Sequence, residues 1–140
     1  MKKDFNLKLI ARFFGFLLFV ETLSLLFTAL IAVLYNEADL RWFLISAVIS
    51  FTAGVILVFL GRGASPVIGR REGSFVVTFI WIVFSLVGML PFLLSGSIPK
   101  VEDAFFETIS GFTTTGASIL NNIEELSHSM LFWRSLTHWM

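Results

Sequence analysis

Three threonines and a glycine, Thr113-Thr114-Thr115-Gly116, stand between two hydrophobic stretches and carry the oxygen atoms best placed for chemistry. A partly dehydrated alkali cation needs rings of oxygen ligands, which consecutive backbone carbonyls and neighbouring hydroxyls can supply. Gly116 takes backbone angles closed to other residues, so successive carbonyls can turn toward one axis. Taken alone, such a run is more often an ordinary turn, and a cation filter is the functional alternative.

The acidic residues just before it admit two readings each. Glu102 and Asp103 open a short amphipathic stretch expected to be helical from about Glu102 to Phe112, where acidic side chains cap free amides and complement the positive end of the helix dipole. A cation-attracting vestibule is the second reading. Glu107 lies one turn further on, and a buried carboxylate must find a partner. A structural hydrogen bond to loop backbone serves as well as ion contact there. Gly111, near the helix end, belongs with these three as support for the loop. Arg134 is expected to reach the loop backbone from outside.

Other ionisable groups carry weaker signals. Arg12 and Glu21 interrupt the first apolar stretch on opposite faces, so they cannot pair within one helix. Arg12 is expected to snorkel to the interface, and Glu21 to make an interhelical bond. His128 and His138 have no carboxylate or cysteine at metal-ligand spacing. Trp42, Trp133 and Trp139 fall near the expected membrane boundaries, where such rings concentrate.

The elements that must position these residues are hydrophobic helices. Apolar residues make up 56% of the 140 and charged residues 14%, more apolar surface than a soluble core of this size hides. Zero net charge argues against nucleic acid as a partner, and the lack of cysteine excludes disulfides and thiolate metal sites. The fold class expected is an all-α membrane protein. Spans are predicted from about Leu9 to Tyr35, Trp42 to Leu60 and Ser74 to Leu94, with Pro91 near the end of the third. A Gly/Pro/Arg-rich surface loop from Gly61 to Gly73 separates the second and third. The stretch from Glu102 to Phe112 is too short to cross, because ~11 residues reach only about half the bilayer thickness. It is expected to be re-entrant, with Thr113 to Ala117 extended and the start of a fourth span after Ser127. Lys2, Lys3, Lys8 and Arg12 before the first span, with Arg62, Arg70 and Arg71 after the second, place the N-terminus and that loop in the cytoplasm.

Arg71-Glu72-Gly73, Trp81, Leu90-Pro91-Phe92, Asp103-Ala-Phe-Phe-Glu107, Ser110-Gly-Phe-Thr-Thr-Thr-Gly-Ala-Ser118 and Phe132-Trp-Arg-Ser-Leu136 with Trp139 follow one another in a set order. In these words the chain resembles the Trk/Ktr/HKT superfamily of potassium transporters, most closely the bacterial TrkH-type subunit. The resemblance implies a pore of four helix, pore-loop, helix units, of which this chain holds one, truncated in its second helix. It thus reads as an N-terminal fragment, with residues 1–73 a two-helix region and residues 74–140 the first pore unit. The implied function is potassium uptake across the bacterial inner membrane, with no cofactor and potassium held at Thr114, Thr115 and Gly116. Some sodium-passing relatives carry serine where this filter has Gly116, which favours potassium. The resemblance also implies a homodimer and a cytoplasmic nucleotide-binding regulatory subunit of the TrkA or KtrA type. A non-transporting membrane scaffold is the alternative, although a scaffold has no use for the loop. An enzyme using Glu107 or Glu21 with a histidine lacks any nucleophile or metal motif.

Overall fold

The computed structural model describes residues 6–64 and 69–140. Lys2 and Lys3, and the middle of the expected surface loop at 65–68, lie outside the described residues. Among the described residues the regular structure is helical: α1 Leu7–Leu34, α2 Leu40–Leu60, α3 Arg70–Gly88, α4 Leu90–Ser95, α5 Val101–Phe112 and α6 His128–Thr137, with a 3-10 turn at Ile123–Glu125. Three segments are long and apolar enough to cross a membrane: Leu7–Leu34, Leu40–Leu60 and Glu72–Ser95. These match the expected spans to within a few residues.

α1 and α2 form an antiparallel hairpin whose crossing is set by small residues. A side chain at Gly15 would run into the Gly54 carbonyl and Val58, and one at Gly54 into Phe19. Backbones meet closely where neither helix carries bulk, which is how helices associate in a solvent that is itself apolar. Ser50 on α2 adds a hydrogen bond of 3.0 Å to the Leu18 carbonyl of α1. Phe16, Leu23, Phe27 and Leu30 of α1, with Val48, Phe51 and Phe59 of α2, remain exposed on the chain surface, as residues facing lipid do.

Pro91 acts earlier than its place near the end of the third span suggests. It sits in the first turn of α4, and the helical run is interrupted at Met89 between α3 and α4. Proline has no N–H, so the Val87 carbonyl loses its regular helical donor. One residue on, the Gly88 carbonyl accepts the indole N–H of Trp133 at 2.9 Å. Trp133 is wholly buried and packs edge-on to Phe43 at 6.4 Å. The expected interfacial position for Trp133 is therefore wrong: this ring anchors α6 to the break between α3 and α4. Trp139, 88% exposed, does stay at the surface.

One buried cluster joins Leu25 and Ala29 of α1, Phe43 and Ala47 of α2, Phe92 of α4, Ala104 of α5, and Met130 and Trp133 of α6. The short α5 is thus held by elements from both ends of the chain.

Candidate functional site

The short amphipathic helix is α5, 12 residues from Val101 to Phe112, and its buried face includes Ala104, Glu107, Thr108, Ser110 and Gly111. Its start differs from expectation. The N-cap is Lys100, and no side-chain hydrogen bond closes that end. Glu102 and Asp103 stand in the first turn, where they complement the dipole without capping an amide.

The other end is closed by the loop itself. The Thr115 amide reaches back to the Ser110 carbonyl at 2.9 Å and the Thr114 amide to Gly111 at 2.8 Å. This paired closure requires a left-handed residue just past the helix end, a place glycine normally fills. Here it is Thr114, with φ of 54°. A β-branched residue at positive φ is a genuine outlier, costing roughly 1–3 kcal/mol, and such strain gathers at functional sites. Gly116 follows at φ 74° with open space where a side chain would stand. The expectation of an extended run from Thr113 to Ala117 is corrected accordingly. The chain turns at Thr113 and Thr114, and positive φ recurs at Gly116.

Thr113, Thr114, Thr115 and Gly116 are all exposed on the chain's surface. The hydroxyls of Thr113 and Thr115 lie 2.9 Å apart, and that of Thr113 also donates to the Ile109 carbonyl at 2.7 Å. Ser110 donates its hydroxyl to the Ala117 carbonyl at 2.7 Å, tying the outgoing loop to the helix.

Behind the loop lies Glu107, 2% exposed. Its carboxylate accepts from the Ser118 hydroxyl at 3.0 and 2.9 Å, from the Ile119 amide at 3.1 Å and from Arg134 Nε at 2.6 Å. Of the two readings of Glu107, this geometry favours structural support. Arg134 departs from expectation: it meets the Glu107 carboxylate and not the loop backbone. Gly111 brings α6 close, since a side chain there would overlap Thr137.

A further set of contacts escaped the sequence reading. Glu37, in the turn between α1 and α2, accepts from the amides of His128 and Ser129 at 2.7 and 2.9 Å and lies 3.0 Å from His128 Nδ1. Asp39 accepts the Ser127 hydroxyl, and Tyr35 stacks on His128 with ring centroids 4.3 Å apart. The polar turn thus caps α6. Burial works against the charged form of Glu37, but hydrogen bonds from the Ser129 hydroxyl and amide and from His128 outweigh it and hold the carboxyl below its ordinary value of 4.5. A depressed carboxyl stabilises the fold above its unfolded value and loses that contribution as pH falls through its folded one. Glu37→Ala in the intact protein is expected to cost about 1–2 kcal/mol at neutral pH, as loss of a helix cap does. Unfolding followed from neutral pH into acid checks it: the two proteins should converge as pH falls through the depressed folded value of Glu37, where the wild type loses the charge.

The arrangement of α5, the threonine loop and α6 falls inside a region, residues 39–140, that matches the family described as TrkH, cation transport protein. The chain belongs to this family. It is 34% identical over 136 residues to the Trk system potassium uptake protein TrkH of Salmonella typhimurium, which covers 96% of this chain and 28% of that protein. It is 29% identical to the Trk system potassium uptake protein TrkG of Escherichia coli over 93% of this chain and 27% of that one. The crystal structure of the potassium transporter TrkH from Vibrio parahaemolyticus superposes with a TM-score of 0.89 at 32% identity, covering 96% of this chain and 29% of the other. The chain therefore spans a little over a quarter of the TrkH-family relatives it matches. These relatives are named as potassium uptake or transporter proteins.

Proposed function

We propose that this chain is the first pore-forming portion of a TrkH-type potassium-uptake permease, with Thr113 to Gly116 as one quarter of its selectivity filter. The observation that carries the reading is the division of labour around the loop. Glu107, Ser110 and Arg134 hold it from behind, while Thr113, Thr114, Thr115 and Gly116 are exposed on the chain's surface. A loop built only as a connection has no use for a strained threonine at its turn. Potassium would be held at Thr114, Thr115 and Gly116, selected by oxygen geometry with no covalent step. The relatives' names, which specify potassium uptake, support the choice of ion.

In this reading α5 is re-entrant, entering the membrane and returning through the threonine loop. Non-helical backbone is tolerated at membrane depth when it is buried in protein or lines a wet cavity. The C-terminal end of α5 directs its negative dipole end toward the cation path. Lys8 and Arg12 at one end of the hairpin, with Glu37 and Asp39 at the other, support an N-terminus in the cytoplasm and a filter open to the outside. Residues 1–73 then form a peripheral helical pair and residues 74–140 the first pore unit, completed by further repeats. A homodimer, a TrkA- or KtrA-type regulatory subunit and an inner-membrane location complete the proposal.

The test is uptake by the full-length permease in bacteria lacking their own potassium-uptake systems. Growth at low potassium should return, and sodium supplements should not substitute. Failure of potassium to restore growth at normal membrane levels of the protein would reject potassium as the cargo.

A further inference from the structure

We propose that Glu21 is a proton-binding site: its carboxyl group, enclosed by α1, α3 and α5, is held in the folded protein as the neutral acid. Glu21 has no exposed surface, and neither carboxylate oxygen has a hydrogen-bond partner among the described residues. The expected interhelical bond is not formed. The group lies against the end of α3, where a side chain at Gly88 would stand 3.1 Å from Glu21 Oε1 and 2.9 Å from both Phe112 and Thr108 of α5. This enclosure is complete within the chain itself, so a charged side chain from elsewhere in a longer permease has no surface by which to reach it.

Among the described residues, several charged groups of the surrounding elements are engaged elsewhere or distant. On α1, Arg12 is nine residues away, about 13 Å along the helix axis, and lies over the Phe16 ring. Arg41 of α2 covers Trp42 at the far end of the hairpin. Glu72 stands at the start of α3, sixteen residues before Gly88. Glu107 of α5 and Arg134 of α6 pair with each other, and His138 Nδ1 lies 2.8 Å from the Arg134 carbonyl.

An ionised carboxylate in this setting bears the full cost of desolvation with nothing to offset it. It can also only accept hydrogen bonds, and no donor reaches either oxygen among the described residues. Protonation, from water as the helices pack, removes the charge. The inference needs α1 to lie in a membrane and does not depend on which ion permeates.

The test is infrared spectroscopy on the full-length permease in liposomes at neutral pH, with Glu21→Gln and Glu21→Met as blanks. The wild type should show the carbonyl-stretch band of a protonated carboxylic acid, shifted in heavy water and absent from whichever blank is compared. Glu21→Gln, which resembles the neutral acid, should reach the membrane and take up rubidium as the wild type does. Loss of a carboxylate band on substitution, or a Gln variant that loses folding or uptake, would overturn the assignment.

Discussion

Glu107→Ala in the full-length permease is expected to be the most damaging single change in this region. It leaves Arg134, 18% exposed at its side chain, without its partner, and removes the acceptor for Ser118 and the Ile119 amide. Removing one member of a buried pair costs about 3–5 kcal/mol, a large share of the roughly 5–15 kcal/mol by which a domain is stable. Arg134→Ala should cost less, because Glu107 keeps its bonds to Ser118 and Ile119. The measurement is unfolding in detergent together with membrane accumulation. Equal and small losses for the two variants would show that Glu107 does not hold the loop.

Gly116→Ser is expected to act differently, disturbing selection more than folding. No atom lies within 4 Å of where the new side chain would start, so there is no clash, and the cost is one of backbone conformation at φ 74°. An L-residue in left-handed angles costs roughly 1–2 kcal/mol. The serine should relieve that strain by rotating its peptide units, which displaces a carbonyl of the proposed filter. Sodium, smaller and more strongly hydrated, should then compete better. Rubidium uptake with and without sodium, at matched expression, reads this directly. Thr22→Ala on α1, outside the proposed filter, serves as control. Unchanged sodium sensitivity in Gly116→Ser would remove Gly116 from the filter.

The spans and the length of α5 were legible because they rest on local patterns. A run of apolar residues from Leu40 to Leu60 or a short amphipathic stretch from Val101 to Phe112 can be recognised without knowing what lies beside it. What stayed hidden depends on partners far along the chain. Trp133 has the composition of an interfacial ring, and only the carbonyl at the α3–α4 break, 45 residues away, makes it a buried anchor. The capping of α6 by Glu37 joins residues 91 and 92 apart. The signal that could have found it was Ser127 before an apolar run, a helix start with acidic groups needed nearby. Thr114 was hidden for a further reason. Local preference opposes its left-handed conformation, and the closure back to Ser110 and Gly111 overrides that preference. At Glu102 and Asp103 the sequence pattern was sound for charge and misleading for hydrogen bonding.

The central proposal, that Thr113 to Gly116 contribute ligands to a permeating cation, is tested most directly by locating that cation. Crystals of the full-length permease grown in rubidium should give an anomalous-scattering peak within coordination distance of the oxygens of Thr114, Thr115 and Gly116. Rubidium peaks elsewhere in the protein, with none at this loop, would contradict it.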